Sequence, residues 1–422
     1  MIAMNKFLKF VKWLSPGLKV KRWITTVVVG FLLILASSPS IHSNALFWKI
    51  ISLTVFAIGA GALIAGTSLL IRSLFEAMYP TGRHDKGLID IIYEQRLLAK
   101  GPKIVAVGGG TGLSTILEGL KQHSSNITAI VAMADEGGSS GRLREEFGIL
   151  PPGDVRNCLV SLSQSPKLMR DLFQYRFEEG AGIKGHSFGN LFITALAEVT
   201  GSFKAAVEES SKVLAITGRV MPSSLDNMRL KAEYSDGTVK EGEDKIPEEG
   251  KAIRKISLIP EDAKVNPEVF EAIKRADIII FGPGSLFTSI IPNLLMRDIC
   301  REISRRKNIV KLYICNVMTQ PGETDGFTAS DHVGMLLNHI SEANVVNSCL
   351  VNSGRLDHKL LFKYSREGSF PVIFDREKLI KMGMTIFEAE VVSKNNYLRH
   401  DPEKTAREIM NIYHYGRKKW KG

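Results

Sequence analysis

Between Lys103 and Arg142, glycines, hydroxyls and acids are spaced in a way that suits a phosphate better than a nucleophile. The apolar run Ile104–Val107 leads into Gly108-Gly109-Gly110-Thr111-Gly112, and a helical pattern follows from Leu113 to about Gln122. Glycine lets the backbone adopt positive φ and approach a ligand closely. The helix behind it offers free N–H groups and the positive end of its dipole. A second apolar run, Ile127–Met133, ends at Asp135-Glu136, and a glycine-serine loop with Ser139, Ser140 and Arg142 comes next. A carboxylate at Asp135 suits ribose hydroxyls. The order strand, glycine turn, helix, strand, acid is the first half of a nucleotide-binding βαβ unit. The dinucleotide fingerprint fails, because Leu113 stands where its third glycine belongs, and no G-K-[ST] follows to make a P-loop. A turn that serves packing alone is the competing reading.

Other polar groups fall at comparable places. Asp154 reads as an N-cap, with Arg156 and Asn157 on the first turn of the helix it would start. Gly185-His186-Ser187-Phe188-Gly189-Asn190 opens another helix, and His186 and Asn190 are candidate ligand contacts. The apolar strand Ile278–Phe281 runs into Gly282-Pro283-Gly284-Ser285, then Thr288-Ser289. There the amides of Gly284 and Ser285 are expected to face a phosphate. Lys311–Cys315 ends in a polar loop from Asn316 to Thr324. No serine, cysteine or lysine shows a positioned base in the sequence. Cys158, Cys300, Cys315 and Cys349 form no C-x-x-C pair, which fits core residues in a reducing compartment and no metal site.

The elements that must position these groups can be read around them. The chain has 422 residues, 44% hydrophobic and 23% charged, enough for a sizeable core. The net charge of +11 is uneven, since Lys6, Lys9, Lys12, Lys19, Lys21 and Arg22 precede any acid. No arginine-aromatic run accompanies it, so nucleic acid is not expected as a partner. Two apolar stretches follow, Trp23–Ala36 and the charge-free Ile50–Ile71. A membrane helix takes about 20 apolar residues. The flanking cations place both outer ends in the cytoplasm by the positive-inside rule; a signal peptide is the alternative for the first stretch. The expected organisation is a basic cytoplasmic N-terminus (1–22), a transmembrane hairpin (23–75), a helical connector (76–102) and a nucleotide-binding domain (103–422). The main domain then lies in the cytoplasm at the inner membrane, and a homo-oligomer is the expected assembly. Arg219 to Glu243 reads as antiparallel, with Asp236-Gly237 as a hairpin turn. Glu241–Lys255 reads as solvated surface, Ile253–Ile259 and Val345–Val351 as strands. Residues 355–422 say little beyond a basic end, Arg417-Lys418-Lys419, a solvated tail or a contact for an anionic leaflet.

Six blocks in order carry a family resemblance: IVAVGGGTGLS, DEGGSSGRLR, LPPGDVRNCL, GHSFGNL, FGPGSLFTSIIPNLL and CNVMTQPGET. On these blocks the chain resembles, from about Lys103 to Ser353, the CofD-like superfamily in its YvcK-type gluconeogenesis-factor branch. The resemblance implies a Rossmann-like α/β fold, a mostly parallel sheet with an antiparallel insertion. It implies a binder of uridine-diphosphate (UDP) sugars linked to carbon metabolism, cell-wall synthesis and cell shape. The superfamily's enzyme branch instead implies a magnesium-dependent transfer of a phospholactyl-type group from a nucleotide diphosphate adduct. Matched residue by residue, Gly109, Gly110, Thr111, Gly112, Asp135, Ser139, Ser140, Arg142, Asn190, Gly284 and Ser285 are the implied nucleotide contacts. In the transferase alternative, Asp135 and Arg142 are the candidate catalytic groups, with Glu136 and Arg156 beside them. The chain departs from the family at Glu136, where a second aspartate is usual, and in its N-terminal apolar pair.

Overall fold

A computed structural model describes residues 20–41, 46–78, 88–393 and 397–421. The chain divides into two compact units, Met1–Gln95 and Arg96–Gly422. In the first, the helices Val20–Ile41 and Leu46–Met78 pack antiparallel through small residues. A Cβ on Gly30 would fall 2.7 Å from the Leu63 backbone nitrogen, and one on Gly66 would fall 3.0 Å from that of Val27. Glycine therefore sets the approach of the two backbones. Leu46–Ser73, with a mean hydropathy of 2.0, is long and apolar enough to cross a membrane; Arg22–Ser37 is shorter. The basic residues up to Lys19 and much of the expected connector (79–87) lie outside the described residues; Leu88–Ala99 is helical.

The second unit is built on a seven-stranded sheet. Its strands are β1 (Ile104–Gly108), β2 (Ile127–Val131), β3 (Arg219–Pro222), β7 (Ile278–Phe281), β8 (Val310–Ile314), β9 (Ser348–Asn352) and β10 (Thr385–Ala389). They are ordered β10-β9-β8-β7-β1-β2-β3, with every pairing parallel. Helices cover both faces of such a sheet, so its central strands read as continuous apolar runs: β1 and β7 are buried at every position. From β1 the chain winds outward to β2 and β3, then returns to the other side of β1 as β7. The order reverses between β1 and β7, and the crevice at their C-terminal ends is where such folds bind ligands.

The antiparallel insertion is a separate three-stranded sheet of β4 (Arg229–Tyr234), β5 (Val239–Glu241) and β6 (Ile253–Ile259), ordered β5-β4-β6. Gly237, at φ +82°, makes the expected hairpin turn. The expectation that antiparallel structure starts at Arg219 needs correcting: Arg219–Pro222 pairs in parallel with β2 as the sheet edge. The strand expected at Val345–Val351 begins later, at Ser348. The C-terminal region supplies β10, and its last helix, Pro402–Lys421, packs on the helix Gly110–Leu120 behind the glycine turn. A Cβ on Gly119 would fall 2.6 Å from the Pro402 carbonyl carbon, so this contact also depends on glycine.

Candidate functional site

The two glycine bends meet. Gly109 is extended and Gly110 has φ +63°, the turn that starts the helix Gly110–Leu120 directly off β1. Gly109, at the N-cap, has no side chain to cap that helix, and the Asp154 carboxylate accepts the Gly110 N–H, which leaves the Thr111 and Gly112 amides for a ligand. A Cβ on Gly112 would fall 2.7 Å from the Pro283 carbonyl carbon and 2.8 Å from Gly284 Cα. Only glycine at 112 lets the bend after β1 touch the bend after β7. Gly282 and Gly284 take φ +77° and +149°, which favour glycine. Above the contact lies a cavity of about 560 Å³, lined by Gly109–Gly112, Asp135, Asp154, Glu243, the Pro283–Ser285 turn, Asn316 and the segment Leu398–His400, among others.

The β7 bend differs from the sequence expectation in one respect. Gly284 N–H donates to Asn316 Oδ1 at 3.1 Å, and Asn316 Nδ2 donates back to the Gly284 carbonyl at 2.8 Å. That amide is therefore occupied, and Asn316 fixes the bend as a wall. The Ser285 hydroxyl donates to Glu323 and accepts the Thr288 N–H at 3.0 Å, so it caps the next turn. Thr288 and Ser289 both line the cavity.

Acids gather below. Asp154 is not an N-cap; it sits in the first turn of the helix Gly153–Leu162 and accepts the Gly110 N–H. Burial, then the charge of Asp135, raises its pKa well above the usual carboxylate range. Burial and Asp135 also raise Glu243 to about 7, although the stretch around it reads as solvated surface. Glu323, behind Ser285, is raised to about 7 by burial. Asp135 itself accepts the Gly137 N–H at 3.0 Å. Glu136 turns away, paired with Arg144 at 3.3 Å and Arg229 at 3.1 Å.

The second glycine-serine loop forms a braced wall beside the cavity rather than its lining. Ser139 Oγ lies 3.0 Å from His186 Nδ1 and accepts Asn190 Nδ2 at 3.0 Å. Ser140 Oγ accepts the Gly153 N–H at 3.1 Å. Arg142 is exposed and donates to the Lys184 carbonyl at 2.9 Å. Arg156 donates to Ser187 and Asn157. Buried Asn190 Oδ1 and Arg156 Nε have no partner. The Ser139–His186 contact, invisible in the sequence, has the elements of a nucleophile and base. Both residues are buried and neither lines the cavity, so the contact braces the loop.

Several lining residues escaped sequence reasoning. Tyr364, Glu367 and Leu398–His400 come from the region that read as uninformative. Among the described residues, Arg399 is the only lysine or arginine in the lining, its guanidinium 5.4 Å from the Tyr397 ring centroid. His400 is buried, and burial lowers its pKa to about 4. Among the described residues, no group of three or more His, Cys, Asp or Glu is placed to hold a metal ion.

The family profile of 2-phospho-L-lactate transferase CofD matches residues 104–392. The gluconeogenesis factor of Bacillus subtilis (strain 168) is 47% identical over 74% of this chain and 98% of its own length. A Clostridium acetobutylicum protein provisionally given the same name is 46% identical over 96% of this chain and 92% of its own length, an alignment that reaches into the N-terminal unit. The crystal structure of a UPF0052 family member from Bacillus halodurans, at 2.60 Å, is similar with a TM-score of 0.71 and 46% identity, covering 74% of this chain and 99% of that one. With a family profile across its α/β unit and relatives this similar over nearly their whole length, the chain belongs to the CofD family, in the gluconeogenesis-factor branch.

Proposed function

We propose that this protein is a nucleotide-sugar sensor: it binds a UDP-sugar in the cavity between β1 and β7 and regulates carbon metabolism, cell-wall synthesis and cell shape. The contact between the two glycine bends carries this reading. It brings backbone close to the mouth of the Gly110–Leu120 helix, where, beside the Asp154 carboxyl that takes the Gly110 N–H, a diphosphate gains from the Thr111 and Gly112 amides and the helix dipole. Arg399 adds a guanidinium suited to phosphate. Asp135 suits ribose hydroxyls. A volume of about 560 Å³ is within the usual range for small-molecule sites. The sensor sits at the inner membrane, its N-terminal helices as anchor and its α/β unit in the cytoplasm. The long apolar helix Leu46–Ser73 and the cationic flanks support that placement.

A second reading, a magnesium-dependent transferase, is favoured by the acids. Asp135 and Asp154 both line the cavity, and burial, then the Asp135 charge, raises the Asp154 carboxyl. Magnesium is commonly held by one or two carboxylates plus substrate phosphates, so the lack of a three-ligand cluster among the described residues is compatible with it. Asp135 and Asp154 would hold the ion, which would neutralise phosphate charge. Arg399 and the helix amides would orient the diphosphate in either reading.

Calorimetric titration of the full chain in detergent with UDP-glucose and UDP-N-acetylglucosamine, with and without magnesium, tests the proposal. Saturable binding without turnover supports the sensor. Consumption of a nucleotide adduct that Asp135→Asn stops supports the transferase. Absence of binding to every UDP-sugar would rule out the first reading.

A further inference from the structure

The opposite end of the parallel sheet, where its strands begin, holds a second cavity of about 260 Å³. It opens between the starts of β7 and β8 and the end of the helix Pro402–Lys421, lined by Arg306, Lys307, Asn308, Tyr413 and Arg417, with Asp277 as its one acid among the described residues. Asp277 is already engaged, accepting the Lys103 N–H at 3.0 Å. Arg306 donates one Nη2–H to the Ala276 carbonyl at 2.8 Å and has a buried Nε–H without a partner. Among the described residues, Arg306, Lys307 and Arg417 make no ion pair. Behind them Lys311, fully buried on β8, donates to the Asn344 carbonyl. Burial and then the Arg306 charge lower its pKa to about 8, a sign of positive potential without a counterion. The C-termini of the helices Arg297–Arg305 and Pro402–Lys421 lie at this end, and their carbonyls offset part of the charge. Two guanidinium forks and an ammonium, set against one carboxylate and two helix ends of about −0.5 each, leave the cavity net cationic.

We propose that this cavity binds the phosphodiester headgroup of an anionic membrane lipid. Guanidinium forks match phosphate oxygens. The source follows from the proposed membrane anchor. An anchor in the apolar helix Leu46–Ser73 holds the chain at a membrane, so anionic headgroups are at high local concentration for this cavity. The basic run Arg417-Lys418-Lys419 ends at the same place. This inference rests on the membrane placement above and is independent of nucleotide binding.

Residues 96–422 serve for the test. They contain their own core, and the Bacillus halodurans relative, which matches 74% of this chain, crystallised without such an N-terminal unit. The fragment is sedimented with vesicles of phosphatidylcholine, with and without phosphatidylglycerol. Binding is expected only with phosphatidylglycerol, and to fade at high salt. Lys307→Glu with Arg417→Glu, both exposed positions, should weaken it at least about tenfold. Arg306→Lys, which keeps the charge but removes the fork, should weaken it less. The charge-matched control Lys167→Glu with Lys381→Glu should leave it unchanged. Equal losses in variant and control, or equal binding to both vesicle types, would overturn the proposal. So would a melting shift with soluble glycerol 1-phosphate in the absence of vesicle binding, which would mark a small-anion site. The response of each variant to UDP-sugar is measured alongside, so loss of that response everywhere counts against the nucleotide reading alone.

Discussion

Gly112→Ala places two opposing effects on one methyl group. In the first turn of a helix, alanine is favoured over glycine by up to about 1 kcal/mol when nothing else changes. Here the methyl would fall 2.7 Å from the Pro283 carbonyl carbon and 2.8 Å from Gly284 Cα. Both are backbone atoms of a bend that Asn316 holds by two hydrogen bonds, so no side chain can rotate away. Overpacking of this kind typically costs about 1–3 kcal/mol. Set against a gain of up to about 1 kcal/mol, the clash leaves a net loss of about 0–2 kcal/mol, and it acts by separating the two bends. Gly201→Ala is the matched control: φ is +67° and no atom lies within 4 Å, so it carries backbone strain of about 1 kcal/mol without a clash. Urea unfolding of residues 96–422 gives stability, and titration with UDP-N-acetylglucosamine gives affinity. Both variants should lose similar stability, but only Gly112→Ala should lose at least tenfold in affinity. Normal affinity in Gly112→Ala would refute the idea that the touching bends shape the phosphate seat.

The remaining expectations are brief. Glu323 has its pKa raised from 4.5 to about 7, so the folded state holds its proton where the unfolded state has released it. Stability should therefore fall as pH rises from about 4.5 to about 7 and level off above, by up to about 3 kcal/mol. Asp154 and Glu243, raised alike, add to the same slope, so Glu323→Gln should reduce it without abolishing it in urea titrations across the window; an unchanged slope would locate the effect elsewhere. Arg399→Ala should weaken UDP-sugar binding about 10–100-fold, as expected for a charge-assisted hydrogen bond worth about 1.5–3 kcal/mol, with little change in melting temperature because the side chain is exposed. All four cysteines are buried, and burial raises their thiols, so a thiol reagent should label none of them until the protein unfolds.

Where local pattern and tertiary demand coincide, the sequence was readable. β1 and β7 are buried on both faces, which forces apolar runs, and the glycines after them are forced by positive φ and close approach. Both signals stand in a single sequence. Arg219–Pro222 misled because a four-residue edge strand looks the same whether its partner runs parallel or antiparallel. Glu243 looked solvated because its neighbours Glu241, Asp244 and Lys245 are exposed and only its own side chain turns inward. β10 was missed because its positions are mostly half-buried and give no clear alternation. Leu398–His400 reaches the cavity only through the docking of the C-terminal helix on Gly119, a long-range contact with no local trace.

The most direct measurement is a structure of the protein bound to UDP-N-acetylglucosamine. The diphosphate is expected at about 3 Å from backbone amides of the Thr111–Gly112 turn, against the Gly284-Ser285 wall and within reach of Arg399. A nucleotide bound elsewhere, or one whose phosphates stand clear of both bends, would contradict the central claim.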